Sequence, residues 1–201
     1  MLDKLKECAI SFGKLIDVEY YIIAGKKSRI IKPILFFHKE HFYHLMGLHK
    51  LKDVYKIRGD KQKIFNDIIN DEITYNDISK SEFFPEITER FDYFLLLEQI
   101  LDSEDVLVKH NEFASKSHIK ADYIIYKAID DVIAHYFISY HSDKGKYFGT
   151  TFFARNDRLY LHNRPYKILK KTKIKNGCII SEVTDKNYKK KLNKKIVVSL
   201  R

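Results

Sequence analysis

A chain of 201 residues that is 45% hydrophobic and 14% aromatic can bury a core of its own, which excludes a disordered polypeptide, and its three prolines and seven glycines leave no linker dividing it in two. The formal net charge of +10 is unevenly placed: thirteen Lys/Arg face only Glu182 and Asp185 between Arg164 and Arg201, giving that stretch +11 and residues 1–163 a sum of −1. No apolar run approaches the length needed to cross a bilayer and the first residues carry no apolar signal core, so the expectation is a cytoplasmic protein of one domain, 1–201, with no membrane partner.

Leu2, Leu5, Ala9, Phe12 and Ile16 recur at helical spacing and predict an opening amphipathic helix. Cys8 lies within it, and Cys178 lies in an apolar run far away, so both read as small buried hydrophobes in a reducing compartment. Val18 to Ala24 and Arg29 to Phe37 read as two strands of a hairpin joined by Gly25-Lys26-Lys27-Ser28, with Pro33 suggesting an edge.

The hairpin feeds a window holding His38, His41, His44 and His49. Imidazole titrates near neutrality, so such a cluster suggests proton transfer, metal ligation or phosphate contact. As metal ligands, His38, His41 and His44 fail on a continuous helix, because at roughly 100° per residue the first and last stand about 240° apart. A structural reading makes His38 and His41 surface decorations of a short helix whose apolar side is Phe42, Leu45 and Met46, with Gly47 as its stop. His44 and His49 differ, since a tight bend at Gly47 turns both toward a common space, with Lys50 beside them. Two imidazoles and an ammonium suit metal-independent RNA cleavage: a base for the ribose 2′-hydroxyl, an acid for the leaving 5′-oxygen, and a cation for the phosphorane.

Helices are expected at Lys61 to Asn70, with Ile64, Phe65, Ile68 and Ile69 inward, and at Pro85 to Leu101, with a core stripe of Ile87, Phe91, Phe94, Leu95 and Leu101; Tyr75 to Ser79 adds a short turn. This region is acidic, with thirteen carboxylates against Lys61, Lys63, Lys80 and Arg90 between Asp60 and Asp105. After it come short segments rich in β-branched and aromatic residues: Val106 to His110, Ala121 to Lys127, Val132 to His141, Lys146 to Phe153, Tyr166 to Ile174 and Cys178 to Glu182. They predict an antiparallel sheet, and hence an α+β class with a helical part of about 1–105, a sheet part of about 106–182 and a basic tail, 183–201. Alternation places Lys171, Lys173 and Lys175 on one strand face, a row of cations able to follow a phosphate backbone.

The segment Phe42-Tyr43-His44-Leu45-Met46-Gly47-Leu48-His49-Lys50-Leu51-Lys52-Asp53 resembles the phage-associated branch of the barnase, EndoU, colicin and RelE-like (BECR) nucleases, specifically the fourth phage subtype. So do, in order and spacing, Leu5 to Ala9, Ile73 to Tyr75 and Ser81 to Phe84, Lys120 to Tyr123, Tyr147-Phe148 to Phe152-Phe153, and Tyr166 to Leu169, covering most of residues 1–182. The resemblance implies a BECR-like fold, with a helix followed by a sheet of four to six strands, and a metal-independent ribonuclease of phage or mobile-element type, with no cofactor. On that reading His44 and His49 are the acid and base and Arg155, at a strand end, is the phosphorane clamp, against an arginine that is simply solvated or paired with a neighbour such as Asp157. Lys50, Lys120, Lys171 and Lys173 contact phosphate, and Tyr166 stacks a base or simply belongs to the core. The expected partners are RNA, with tRNA as one candidate, and an antitoxin or immunity protein. Two other classes stay open: a catalytically silent RNA- or protein-binding module, and a metal-dependent hydrolase using the histidine cluster.

Overall fold

Phe12 gathers the helical layer around itself. In the computed structural model, which describes residues 2–103, 106–156, 159–160 and 165–189, the expected opening stripe forms helix α1 (Lys4–Gly13) with Leu5, Cys8, Ala9 and Phe12 buried. Asp3 caps it, its carboxylate accepting from the Leu5 and Lys6 N–H groups. The Phe12 ring meets Phe37, Phe42, Phe65 and Phe94 at centroid distances of 5.7 to 6.3 Å, in tilted and edge-on arrangements. Those four rings come from separate segments, so one buried side chain ties them together.

The hairpin appears with one change. Strand β1 (Val18–Lys26) pairs with β2 (Arg29–Ile31) and then β3 (Ile34–Phe36), because Lys32-Pro33 interrupts the second expected strand. Helices α2 (Lys39–Leu45), α3 (Lys61–Ile69) and α4 (Tyr75–Ser79) follow. The long helix expected from Pro85 is instead α5 (Thr88–Tyr93) and α6 (Leu97–Asp102), linked by a 3₁₀ turn over Phe94–Leu96. The buried positions Phe91, Phe94, Leu97 and Ile100 recur every three residues, and only 3₁₀ winding keeps that spacing on one face. Leu95, expected in the stripe, is consequently exposed.

The remaining strands are β4 (Leu107–Lys109), β5 (Tyr123–Ile129), β6 (Val132–His141), β7 (Lys146–Arg155), β8 (Lys167–Lys175) and β9 (Cys178–Thr184), with a short helix α7 (Glu112–Ser115) after β4. The class is α+β, but the sheet has nine strands in the order β4-β5-β6-β7-β3-β1-β8-β9, with β2 beside β1. It exceeds the four to six expected because the N-terminal hairpin inserts between β7 and β8. The β3–β7 junction is parallel and pairs at Leu35↔Tyr147 alone. Beyond that pair, α2 and α5 lie alongside β7 in place of a strand.

The basic strand requires a correction. Lys171 and Lys173 do share a face of β8, but it is the inner one, and both are buried. Lys171 Nζ donates to the Leu101 carbonyl at 2.6 Å and to that of Ser103, at the end of α6. Lys173 Nζ lies 2.8 Å from Glu98 and 2.9 Å from Asp102, above the Tyr20 ring, whose hydroxyl also donates to Asp102. These lysines bind the acidic helix to the sheet and are not presented to a phosphate backbone. Cys178, read as buried, is exposed on β9, whereas Cys8 is buried as expected. The tail beyond Lys189 lies outside the described residues.

Removing the buried ammonium leaves two carboxylates facing each other over an aromatic ring. Lys173→Ala is expected to lower the unfolding free energy by about 2 kcal/mol in urea titration. Lys167→Ala, which removes an exposed ion pair with Asp185, is expected to change it by under about 0.5 kcal/mol. Equal effects would refute the structural role of Lys173.

Candidate active site

The histidine window divides. His38 precedes α2 and His41 sits in its first turn, where the His41 Nδ1 accepts from the His38 N–H at 3.1 Å and the two rings stack at 5.5 Å. His41 is buried against Phe36 and Phe148 rather than decorating the surface, and burial drives its pKa down to about 4, with the charges of His38, Lys144 and His141 acting the same way against Glu40. His44 stands one turn on, in a different environment, so the three do not converge on one point. Among the described residues no three His, Cys, Asp or Glu side chains come together as metal ligands.

His44 and His49 do come together. Gly47 adopts a left-handed conformation, φ 74°, and a 3₁₀ turn over Leu48–Lys50 returns the chain so that the two rings lie 5.0 Å apart. The bend is also a close approach: a Cβ at Gly47 would stand 2.6 Å from Ile87 Cγ2 and 2.9 Å from Arg90 Cζ. Arg90 is 3% exposed, and its Nη1 donates to the Leu45 carbonyl at 2.6 Å and to that of His44 at 3.4 Å, capping the C-terminus of α2. Burial lowers its pKa to about 10; Glu89 opposes the shift and Arg155 adds to it, so the guanidinium stays charged at neutral pH.

Across from this corner, β7 supplies the opposite wall. Its register against β6 shifts between Phe137 and Ile138, which face Thr151 and Gly149, leaving Thr150 as the extra residue of a β-bulge. Strict alternation would separate Thr150 from Thr151, yet both line the cavity. Gly149 is required there, since a Cβ would fall 2.3 Å from the Tyr136 hydroxyl. The cavity, of about 300 Å³, is closed by Lys50, Lys120, Arg155, Phe153 and Tyr160. Arg155 also lies over the Phe153 ring at 4.9 Å, and Lys50 pairs with Glu86 at 3.4 Å. Among the described residues lining this cavity, four are permanent cations, two are imidazoles and none is a carboxylate. A larger cavity, about 780 Å³, beside His38 mixes Asp17 and Glu19 with Lys144 and Lys146 and has no such bias.

The cations act on the imidazoles. His49 is held down to about pKa 4, first by burial and then by His44, Arg90, Lys50 and Lys61. His44 is lowered by burial and then by Lys61, whose Nζ lies 2.8 Å from His44 Nε2.

Five of the eight side chains singled out from sequence therefore share one cavity: His44, His49, Lys50, Lys120 and Arg155. Three do not. Lys171 and Lys173 hold α6 to the sheet, and Tyr166 is buried, its backbone bridging Leu107 and its ring lying under Lys26. Asp157, considered as an Arg155 partner, lies outside the described residues. Sequence reasoning passed over Arg90, Lys61 and Tyr160. For Arg90 a signal existed, since it falls on the apolar stripe three residues after Ile87 and beside Phe91, an unusual place for a lone cation. Lys61 carried none.

The family described as phage-Barnase-EndoU-ColicinE5/D-RelE like nuclease 4 matches residues 4–197 of the chain. No curated protein and no solved structure matches it. Among the described residues no helix is long and apolar enough to cross a membrane.

The depressed histidines make stability depend on pH with a definite sign. Unfolded imidazoles protonate near 6.5, while His41 and His49 in the fold resist protonation until about 4. The unfolded chain thus binds more protons between those values, so the stabilisation is present above pH 6.5 and is lost as pH falls toward 4. Urea unfolding at pH 7, 5.5 and 4.5 should show this decline, and His49→Gln should flatten part of it; identical pH profiles would contradict the burial of His49 as a neutral ring.

Proposed function

The chain belongs to this family of phage-associated nuclease-like proteins, and from that premise we propose that it is a metal-independent ribonuclease cleaving RNA by transesterification in the cavity between α2, α5 and β7. The observation that carries the reading is the convergence of two imidazoles with Arg90, Arg155, Lys50 and Lys120 in a site whose described lining has no carboxylate. A phosphodiester brings the negative charge such a site lacks, and RNA also brings its own nucleophile, the 2′-hydroxyl.

In this mechanism His49, neutral at physiological pH, removes the 2′-hydroxyl proton as the oxygen attacks phosphorus, and His44 donates a proton to the departing 5′-oxygen. Arg155, Lys120 and Arg90 offset the charge that builds on the phosphorane oxygens, acting from fixed positions in a partly buried site. Lys50 and the hydroxyls of Thr150 and Thr151 orient the phosphate. The cavity volume of about 300 Å³ suits one nucleotide rather than a duplex, so the substrate presents an unpaired nucleotide, as in a tRNA loop. An immunity protein or antitoxin that blocked the site would supply the carboxylates it lacks.

Purified protein incubated with tRNA and with mixed RNA should yield 2′,3′-cyclic phosphate ends, with EDTA making no difference, and leave a 2′-deoxy substrate intact. His49→Ala and His44→Ala should each lower kcat by on the order of 10²-fold or more. Loss of cleavage in EDTA, or full activity in His49→Ala, would sink the proposal. Salt-dependent RNA binding without cleavage would identify a silent binding module instead.

A further inference from the structure

Helix α3 lies antiparallel to α2, joined by Lys39 Nζ to Asn66, Gln62 to Glu40, Phe42 against Phe65, and, at the far end, Lys61 to His44. The last contact is chemically unusual. Lys61 occupies the first position of α3, where the helix dipole disfavours a cation, and among the described residues it makes no ion pair. Its ammonium sits 5.8 Å above the Tyr43 ring and 2.8 Å from His44 Nε2. The other titratable groups around His44 are His49, Lys50, Arg90, Lys120, Arg155 and Tyr160 in the cavity and Tyr43 beside it, with no acid among them.

An ammonium only donates hydrogen bonds. At 2.8 Å Nε2 must therefore accept, which places the proton of the neutral ring on Nδ1. That is the opposite of the tautomer a histidine side chain favours in water. A ring so held has one N–H to give, and its one lone pair faces Lys61 rather than the 2′-hydroxyl. It can serve as donor, and the base must be the neighbouring ring, His49, 5.0 Å away.

We propose that Lys61 is a positioning residue that fixes His44 as the proton donor of RNA cleavage and replenishes it; this rests on the reading of the cavity as an RNA-cleaving site. As the bond from phosphorus to the 5′-oxygen breaks, the Nδ1 proton passes to that oxygen while the Lys61 ammonium passes one to Nε2. The products of the transfer are the leaving hydroxyl, a neutral imidazole of the other tautomer and a neutral amine. The proton His49 took from the 2′-hydroxyl, released to water, balances the one that recharges Lys61. Neither histidine has to be an imidazolium in the free protein, as a cavity crowded with cations requires.

Nitrogen-15 NMR of the free protein tests the tautomer without reference to activity. The wild type should carry the His44 proton on Nδ1; Lys61→Met, which keeps the apolar stem, should move it to Nε2 and raise the pH at which His44 titrates; Lys61→Arg should keep the wild-type pattern. On RNA, Lys61→Met should lower kcat by about 10- to 100-fold with KM unchanged, and Lys61→Arg, whose guanidinium holds the tautomer but does not give up a proton, should stay comparably slow. An active wild type whose His44 keeps the same tautomer in Lys61→Met, with native His49 signals, overturns the Lys61 proposal alone. A wild type that fails to cleave RNA overturns the reading of the cavity and the donor role with it, whatever the tautomer.

Discussion

The corner between α2 and α5 depends on one buried guanidinium. Arg90 reaches the last carbonyls of α2 through a gap that exists only because residue 47 has no side chain, and this contact fixes where His44 ends one element and His49 begins the next. Burying a cation without a carboxylate is costly, and the carbonyl end of a helix offsets only part of that cost. Arg90 Nε is buried with no hydrogen-bond partner among the described residues. The fold therefore keeps a partly satisfied positive charge at the base of the cavity, as the proposed phosphate site would require.

The same device recurs at the other end of the helical layer with a different result. Lys171 donates to carbonyls at the end of α6, and Lys173 meets Glu98 and Asp102 on that helix. Two lysines of the basic end are thereby engaged by the acidic middle inside the molecule. The cations that face the candidate site, Lys50, Arg90, Lys120 and Arg155, all come from residues 1–163, the part whose charges nearly cancel. Among the described residues, the lysines that make the end of the chain basic are therefore not the ones that line this cavity.

How far the site was legible follows from how local its determinants are. His44, Gly47 and His49 lie within six residues, and one left-handed turn decides their relation, so spacing sufficed. Arg155 was legible as a strand end. Alternation correctly placed Lys171 and Lys173 on one face of β8, but which face is inward depends on α6, seventy residues earlier in the chain, and strand periodicity carries no such information. The pairing of Thr150 with Thr151 needed the bulge opposite Phe137 and Ile138, set by packing against Tyr136 rather than by any turn signal. The insertion of the hairpin between β7 and β8 was invisible for the same reason: its parallel junction is a single pair.

If the cavity cleaves RNA as proposed, its electrostatics couple binding to chemistry. Burial and the surrounding cations hold His49 near pKa 4, where its lone pair is free at neutral pH but only weakly basic. On the proposed reading, a phosphodiester between Arg90, Arg155 and Lys120 would screen those same cations, and each repulsive contribution it cancelled would raise the basicity of His49 toward the value best suited to a general base. In the same proposal His44 would gain in the opposite role, since the developing charge on the leaving oxygen would attract the proton that Lys61 backs. The proposed substrate would thus do more than occupy a positive pocket. Its charge would be the missing member of the ionisable cluster, and under the proposed mechanism the two imidazoles would acquire complementary strengths only with it in place.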